Sequence, residues 1–312
     1  MRWGHVKPGC PRVAIVIVTY NSAPVLGGCL ASLPEGTDGV DLAAVVVADN
    51  ASKDDSLRIA EQAVGLPMCP LPVGRNAGYA AAINAGIAAL DLHELDAIFV
   101  MNPDCRLRPG ALAVLSEALG RPGTGIAVPR LISTEGVLHH SLRRTPAVRR
   151  ALAEAVLGGH LAGRVGALGE MIVDPGRYER PGPADWATGA AMLISVAALT
   201  EVGPWDESFL LYSEETEYAL RAADGGWSLW YEPAAVVEHI GGEAKTSPML
   251  AALLTVNRVR LFRQRRGRVA STGFYLAVLL GEAMRAAAGR RTARASVVAL
   301  LRPSRRLRTL PG

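Results

Sequence analysis

The chain has 312 residues, half of them hydrophobic, 20% charged and only 5% aromatic. That balance suits one large or two small folded domains and excludes a mostly disordered chain. The formal charge of +4 conceals an asymmetry, because residues 1–256 carry 19 Lys and Arg against 28 Asp and Glu, while residues 257–312 carry 14 against 1. An acidic body with a basic tail directs any polyanion, either nucleic acid or the surface of an anionic bilayer, to the tail.

From the N-terminus, residues 1–11 hold no apolar stretch ahead of a cleavage site, so no secretory signal is expected. Residues 13–18 form a continuous apolar, largely β-branched run, as in a strand buried on both faces of a parallel sheet. The pattern then predicts a helix over 23–32, a second buried strand over 42–48, a helix over 56–64 and a short strand near 71–72. An alanine-rich helix from Tyr79 to Leu90 and a buried strand over 97–101 follow. Strands alternating with helices make a doubly wound α/β half whose strand ends share one edge, where ligands bind. Beyond it, 125–129 reads as a strand, 143–182 as a Gly-, Pro- and Arg-rich surface excursion, and 186–195 as an apolar strand or helix. Residues 214–223 predict a helix, 227–231 and 236–237 short strands, and the pattern is helical from Leu250 onward.

Cys10, Cys29, Cys69 and Cys105 stand singly, with no C-x-x-C pair and no His at ligand spacing. They indicate neither a zinc module nor a disulfide framework and fit a reducing compartment. The apolar run at 273–281 is cut by Glu282 and Arg285 and falls short of the roughly 20 residues of a membrane span. The expectation is a cytoplasmic protein, able to lie peripherally on the inner face of a membrane without crossing it.

Three strand ends close on polar clusters: Thr19-Tyr20-Asn21, Asp49-Asn50-Ala51-Ser52 and Asn102-Pro103-Asp104. Each alone is ordinary turn and cap chemistry. Three on parallel neighbours converge in one crevice suited to a nucleotide. No G-x-G-x-x-G follows the first strand and no G-x-x-x-x-G-K-[ST] occurs, so phosphate charge must be met otherwise. A divalent cation on Asp104, Mg²⁺ or Mn²⁺, would meet it.

Taken in order, residues 15–21, 49–54, Arg75-Asn76-Ala77-Gly78-Tyr79 with Asn84 and Gly86, and Asn102-Pro103-Asp104 resemble the successive signatures of family 2 glycosyltransferases with the GT-A fold. The Asn-Pro-Asp variant is similar to the rhamnosyltransferase-like branch, and the resemblance runs from about Val13 to Gly242. It implies an α/β, Rossmann-like, mostly parallel sheet flanked by helices. It places Thr19, Tyr20, Asn21, Asp49, Asn50, Arg75, Asn76, Gly78, Asn84, Asn102 and Asp104 around a nucleotide-sugar donor, with Asp104 on the metal. The family usually has Asp-x-Asp here, and Asn102 removes the first carboxylate.

Farther along, Trp186, Thr188 and Gly189 resemble the family's acceptor-side segment, and residues 205–209 the lead-in to its catalytic helix. Glu215 then falls where the family's Glu-Asp motif places its catalytic aspartate, with Glu214 as the neighbouring substitute. A sugar hydroxyl is a weak nucleophile until a positioned base accepts its proton, which is why a carboxylate is wanted there. Without the family, Glu214, Glu215 and Glu217 in a first helical turn simply complement the macrodipole, with Ser213 as N-cap. Glu217 stands four residues before Arg221, the order of an intrahelical pair, and Glu215 lies off the stripe that Glu214 and Glu217 share.

His239 follows a short apolar strand; on general grounds it is a structural histidine, and by resemblance a second metal ligand beside Asp104. His139 and His140 read as solvated loop. Six arginines between 258 and 268 precede an apolar segment with Phe274 and Tyr275. That alternation suits an interfacial helix on anionic lipid, and nucleic acid is disfavoured by the scarcity of aromatics to stack bases.

The expected organisation is a GT-A domain over 1–250, with a nucleotide-sugar half at about 11–130 and an acceptor half at about 131–250, then a basic amphipathic helical tail, 251–312. The expected activity is inverting, metal-assisted transfer from a dTDP-deoxysugar such as dTDP-rhamnose to a hydroxyl of a lipid-linked glycan or natural-product acceptor, with a homodimer left open. Two other readings stand beside it. A sugar-1-phosphate nucleotidyltransferase would normally carry a Gly-rich basic loop where this chain has Thr19-Tyr20-Asn21-Ser22, and a non-catalytic nucleotide-sugar-binding protein would keep the crevice without the base.

Overall fold

The computed structural model describes residues 9–241 and 247–311. Residues 1–8, part of the expected leaderless N-terminus, and Gly242, the last residue of the family resemblance, lie outside them. The strands are β1 (Arg12–Thr19), β2 (Asp41–Asp49), β3 (Met68–Pro72), β4 (Ala97–Met101), β5 (Cys105–Leu107), β6 (Thr124–Ile132), β7 (Leu142–Arg143), β8 (Gly182–Ala184), β9 (Trp186–Ala187), β10 (Ala191–Ser195) and β11 (Ser228–His239). The helices are α1 (Ala23–Ala31), α2 (Leu33–Gly36), α3 (Ser56–Gln62), α4 (Tyr79–Ala88), α5 (Ala111–Leu119), α6 (Val148–Leu157), α7 (Gly159–Arg164), α8 (Pro175–Tyr178), α9 (Val196–Val202), α10 (Glu214–Asp224), α11 (Pro248–Arg265), α12 (Arg268–Ala287) and α13 (Arg291–Leu301).

The main sheet has the order β3-β2-β1-β4-β10-β6-β11-β5, with β8 also paired to β11. From β3 to β4 it is parallel, with Thr19 opposite Asp49 and Ile17 opposite Met101. The strand ends therefore meet at one edge, as the apolar runs predict. Beyond β4 the sheet is mixed, because β10 runs antiparallel to both β4 and β6. That reversal positions the site: Ala191 pairs with Met101, so the loop entering β10 arrives at the edge where the parallel strands finish.

β1 is buried on both faces, which is why its sequence is apolar without alternation. Val13, Ile15 and Ile17 pack with Leu26 and Cys29 of α1 and Leu112 and Leu115 of α5. Val16 and Val18 face the other way, with Ile83 of α4 and Tyr218 of α10. Gly86 lets α4 press onto the sheet, since a Cβ there would lie 2.6 Å from a Val16 methyl. On the same side Trp205 stacks on Tyr218, ring centroids 4.5 Å apart.

The middle of the chain departs from expectation. Residues 143–182 form three short helices, not an irregular excursion, and α6 packs against α12 of the tail. The expected strands at 227–231 and 236–237 are one strand, β11, whose register shifts between Glu232 and Val236. The tail is a third packing centre, with Phe262 stacked on Phe274 at 4.0 Å and covered by Ala151 and Leu300.

Its arginines are not all free for lipid. Arg258 bridges Glu154 at 2.6 Å and Glu170 at 2.8 Å, and Arg265 holds Asp224 at 2.8 Å. Removing one partner of the largely buried Arg258, Glu154 and Glu170 cluster costs about 3–5 kcal/mol, because the remaining charges stay buried without compensation. Part of the basic run is therefore structural, fastening the tail to the middle of the chain. Among the described residues no helix is long and apolar enough to cross a membrane.

Candidate active site

The crevice is built by the ends of β1, β2 and β4. Thr19 and Asp49, opposite each other in register and both buried, are joined by a 2.8 Å bond from Thr19 Oγ1 to Asp49 Oδ1. The second Asp49 oxygen accepts from Ser52 N at 2.9 Å. Asn50 turns inward, its Nδ2 donating to Gly78 O at 3.2 Å, which ties the second cluster to the Arg75–Tyr79 segment. Asn21 and Ala51 take positive φ, 50° and 59°, turning the chain sharply out of each strand. The Asn21 side chain then receives Lys53 N at 2.8 Å, locking the two turns together. Arg75 is exposed.

Tyr20 and Asn76 are already engaged. Tyr20 OH and Asn76 Nδ2 donate to the carbonyl oxygen of Pro311, at 3.0 and 2.8 Å. The C-terminal segment thus lies across two of the residues expected to meet the donor. Asn84 does not belong to the donor group. Its Nδ2 donates to Trp205 O at 3.0 Å and Glu207 Oε1 at 3.0 Å, and its Oδ1 accepts from Trp205 N at 2.9 Å. With its amide committed on both sides, Asn84 fastens α4 to the loop before α10.

At the end of β4, Asn102 is half-buried and its N–H donates to Ala190 O at 2.9 Å. Asp104 does not cap a helix, since β5 follows it and α5 is preceded by Gly110. Its Oδ2 accepts from Gly241 N at 3.0 Å and lies 3.4 Å from His239 Nε2. Burial alone would raise the Asp104 carboxyl, but the His239 side chain and the Gly241 N–H outweigh it and hold it below its ordinary value. His139 is no isolated loop residue; its ring sits edge-on to His239 with centroids 5.7 Å apart.

Cys105, which sequence spacing passed over, completes a cluster in which one ligand atom each of Asp104, Cys105 and His239 lies within 4.8 Å of the others. Burial pushes the Cys105 thiol well up, and its Sγ donates to Ala190 O at 3.3 Å. A neutral thiol so engaged is a poor ligand. Asp104 and His239 offer an oxygen and a nitrogen, a donor pair compatible with a divalent cation that also takes diphosphate oxygens.

The other wall is α10. Glu214 is buried at 2% exposure, and Glu215 is half-buried. Burial, then the charge of Glu215, raises Glu214 well above the ordinary carboxylate range. Glu214 is therefore enclosed and cannot readily serve as a base in place of Glu215. Burial also raises Glu215, against the pull of helix N–H groups and of Arg143. Glu217 is the structural member, held by Arg221 at 2.8 Å as its spacing predicts.

Gly189 joins the walls. A Cβ there would lie 3.0 Å from Glu215 Cβ and 3.8 Å from the Tyr79 ring, so a larger residue would press on Glu215. Tyr79 OH donates to Gly189 O at 2.9 Å. Burial raises the Tyr79 hydroxyl, and the charges adding to that rise are Cys105, Glu214, Glu215 and Asp104, drawn from both walls. Trp186 is buried, its Nε1 donating to Arg144 O at 3.1 Å, and Thr188 N bonds Ser141 O at 3.1 Å. The Trp186 ring is a platform 5.9 Å beneath the Arg143 guanidinium. Arg143, hidden in the expected excursion, is marked by no local pattern.

The model of glycosyl transferase family 2 matches residues 14–169, half of the chain. The N-acetylglucosaminyl-diphospho-decaprenol L-rhamnosyltransferase of Mycobacterium tuberculosis is 32% identical over 236 residues, covering 72% of this chain and 75% of that protein. This chain belongs to glycosyl transferase family 2. The glycosyltransferase is also similar to the low-salt glycan biosynthesis hexosyltransferase Agl10 of Haloferax volcanii, 27% identical over 48% of this chain and 44% of that protein.

Among solved structures, the mannosyltransferase PcManGT of Pyrobaculum calidifontis, in complex with GDP-Man and Mn²⁺, matches with a TM-score of 0.57. That match has 18% identity and covers 96% of this chain and 83% of that one. GalNAc-T7 with UDP, GalNAc and Mn²⁺ matches with a TM-score of 0.60 at 16% identity, over 81% of this chain; the glycosyltransferase spans about half of that protein, 48%. These likenesses establish the GT-A fold.

Proposed function

We propose that the glycosyltransferase moves L-rhamnose, or a closely related deoxyhexose, from a dTDP-linked donor to a hydroxyl of a sugar carried on a lipid diphosphate, with inversion. The observation that carries this reading is the closeness of the two walls: Glu215 and Tyr79 meet at Gly189, and the next residue, Ala190, is bonded to Asn102 and Cys105 on either side of Asp104. The acceptor class rests on the printed activity of the mycobacterial relative.

Thr19, Asn21, Asp49 and Asn50 form the nucleoside end, with Arg75 and Asn76 beside it. Glu215 takes the proton of the acceptor hydroxyl as its oxygen bonds the anomeric carbon and the C–O bond to the diphosphate breaks. Asp104 and His239 hold a divalent cation. When bound, Mg²⁺ or Mn²⁺ supplies charge neutralisation for the departing diphosphate. Arg143, above Trp186 and within electrostatic reach of Glu215, restrains that carboxyl from rising further.

The tail supports a peripheral position on an anionic bilayer. Val269, Leu276, Leu280 and Met284 recur along one face of α12, exposed at 89%, 55%, 44% and 47%. Arg268 and Arg285 flank them.

The test is transfer from dTDP-rhamnose to N-acetylglucosaminyl-diphospho-prenol. Glu215→Gln should lower turnover by about 10²–10⁴-fold while donor affinity stays within about twofold. Near wild-type turnover in that variant would end the base assignment. Asp104→Ala should weaken Mn²⁺-dependent dTDP binding, and unchanged binding would remove Asp104 from the metal site.

A further inference from the structure

A cleft of about 1040 Å³ opens between α11, α13 and residues 304–307. Its volume is at the upper end of the range for small-molecule sites. The lining is apolar in depth, with Phe209, Leu210, Leu253, Val256 and Leu300, and apolar at its mouth, where Met249 and Val298 are 40% and 43% exposed. Five arginines also line it: Arg260, Arg263, Arg294, Arg305 and Arg306. Among the described residues none of the five lies within ion-pair distance of a carboxylate, whereas Arg258 and Arg265, on the same helix as Arg260 and Arg263, are both paired. Arg260 and Arg306 are partly spent, on Ser208 O and on Ala299 O and Leu300 O, and Arg260 lies within electrostatic reach of Asp206, whereas Arg294 and Arg305 are exposed.

The cleft also touches the loop before α10. Leu210 lines it, and Leu210 O accepts from Tyr79 N at 2.8 Å. From Leu210 the chain runs through Tyr212 and Ser213 into the helix that carries Glu215. This lining suits an amphiphilic occupant with an apolar chain and an anionic head, held beside the loop that leads into the helix of Glu215.

We infer that this cleft binds the polyprenyl diphosphate portion of the acceptor, isoprene units against Met249, Leu253 and Val298 and the two phosphates against the arginines. Guanidinium groups suit phosphate oxygens because their planar N–H pairs can bond two oxygens at once. The inference rests on the lipid-linked acceptor proposed above and assigns to this cleft the part of that acceptor which is not sugar.

Two measurements test it. In detergent solution, wild-type protein should bind geranylgeranyl diphosphate, and the exposed pair Arg294→Gln/Arg305→Gln should bind it at least tenfold more weakly, with dTDP affinity unchanged. Equal binding by wild type and variant, or none by wild type, overturns the cleft assignment. In the transfer assay the same double variant should raise the KM for N-acetylglucosaminyl-diphospho-prenol tenfold or more with kcat within about twofold. Val298→Asp should raise it for the prenylated acceptor but not for one lacking the prenyl chain. If wild-type enzyme does not use the lipid-linked acceptor, the functional reading fails; if it does and the double variant's KM is unchanged, only the cleft assignment fails. Loss of binding to phosphatidylglycerol vesicles with unchanged acceptor KM also overturns it, and makes these arginines a membrane contact.

Discussion

Asn257, buried in the first helix of the tail, donates its side-chain amide to Phe209 O at 2.6 Å and to Leu211 O at 2.9 Å. Tyr212 O is a third acceptor at 3.2 Å. The loop it holds is strained, with Leu210, Tyr212 and Ser213 at φ of 63°, 69° and 76°, values that non-glycine residues rarely adopt. Asn257 thus holds the loop that leads into the helix of Glu215, and would position that carboxylate if it is the base proposed above.

Asn257→Ala leaves those carbonyls without their donor, at a cost of about 1–3 kcal/mol for each buried group left unpaired. Turnover should fall by roughly tenfold or more while donor KM changes little, because the residues proposed for the nucleoside lie at the ends of β1 and β2. Steady-state kinetics check the split. Equal loss in kcat and donor affinity would indicate general unfolding instead, which thermal denaturation would also show.

Gly78 faces the same loop from the other side. It has φ of 98°, and an added Cβ would lie 2.1 Å from Leu210 O. Both the conformation and the contact exclude a side chain. Gly78→Ala should lower stability by about 1–3 kcal/mol or more and disable transfer, while Gly74→Ala, where a Cβ would meet nothing, should cost only its backbone strain. Urea unfolding of the two variants decides.

The pH dependence follows from burial. Glu215 holds its proton above the ordinary glutamate range, so kcat/KM should rise with pH through a limb lying above about 4.3 and then level off. Arg143→Gln removes a charge that lowers this pKa, and the limb should move to higher pH. The sign for stability is opposite. Glu214 and Glu215 are both raised on folding, so their contribution is fully present below the unfolded value and is lost as pH rises through the folded ones. A pH–rate profile of wild type against Arg143→Gln checks the first statement, and pH-dependent melting the second.

If Tyr20 and Asn76 serve the donor as proposed, the Pro311 contact makes the tail a competitor for it. Each of the two hydrogen bonds contributes about 0.5–1.5 kcal/mol net, and Pro311 is exposed. Deleting residues 308–312 should tighten dTDP binding by about twofold to tenfold, measured by calorimetry. Unchanged or weaker binding would mean that Tyr20 and Asn76 do not serve the donor, or that the segment assists it.

The parallel half of the sheet was legible because strands buried on both faces must be apolar throughout, and residues 13–18, 42–48 and 97–101 are. The mixed half was harder to read: β5 is three residues long, α9 begins directly where β10 ends, and in the excursion α6 packs against α12 and α7 against α6. Asn84 misled because a motif position does not tell where an amide points, and in the fold it faces Trp205 and Glu207. Asn257 had a faint signal, since asparagine is unfavourable within a helix unless its side chain has a partner. Nothing local marked Arg143.

From residue order alone came the strand ends, their polar clusters, the carboxylates at 104 and 215, and the family. Those are local properties, written in periodicity and short motifs. What required the folded molecule was every relation between distant segments: Asn257 gripping the loop before Glu215, Pro311 lying on Tyr20 and Asn76, Arg258 spent on Glu154 and Glu170 while Arg294 and Arg305 have no carboxylate within ion-pair distance among the described residues. An arginine in a basic run is the same residue wherever it stands, and only its neighbours in space decide whether its charge is neutralised inside the protein or left for a ligand.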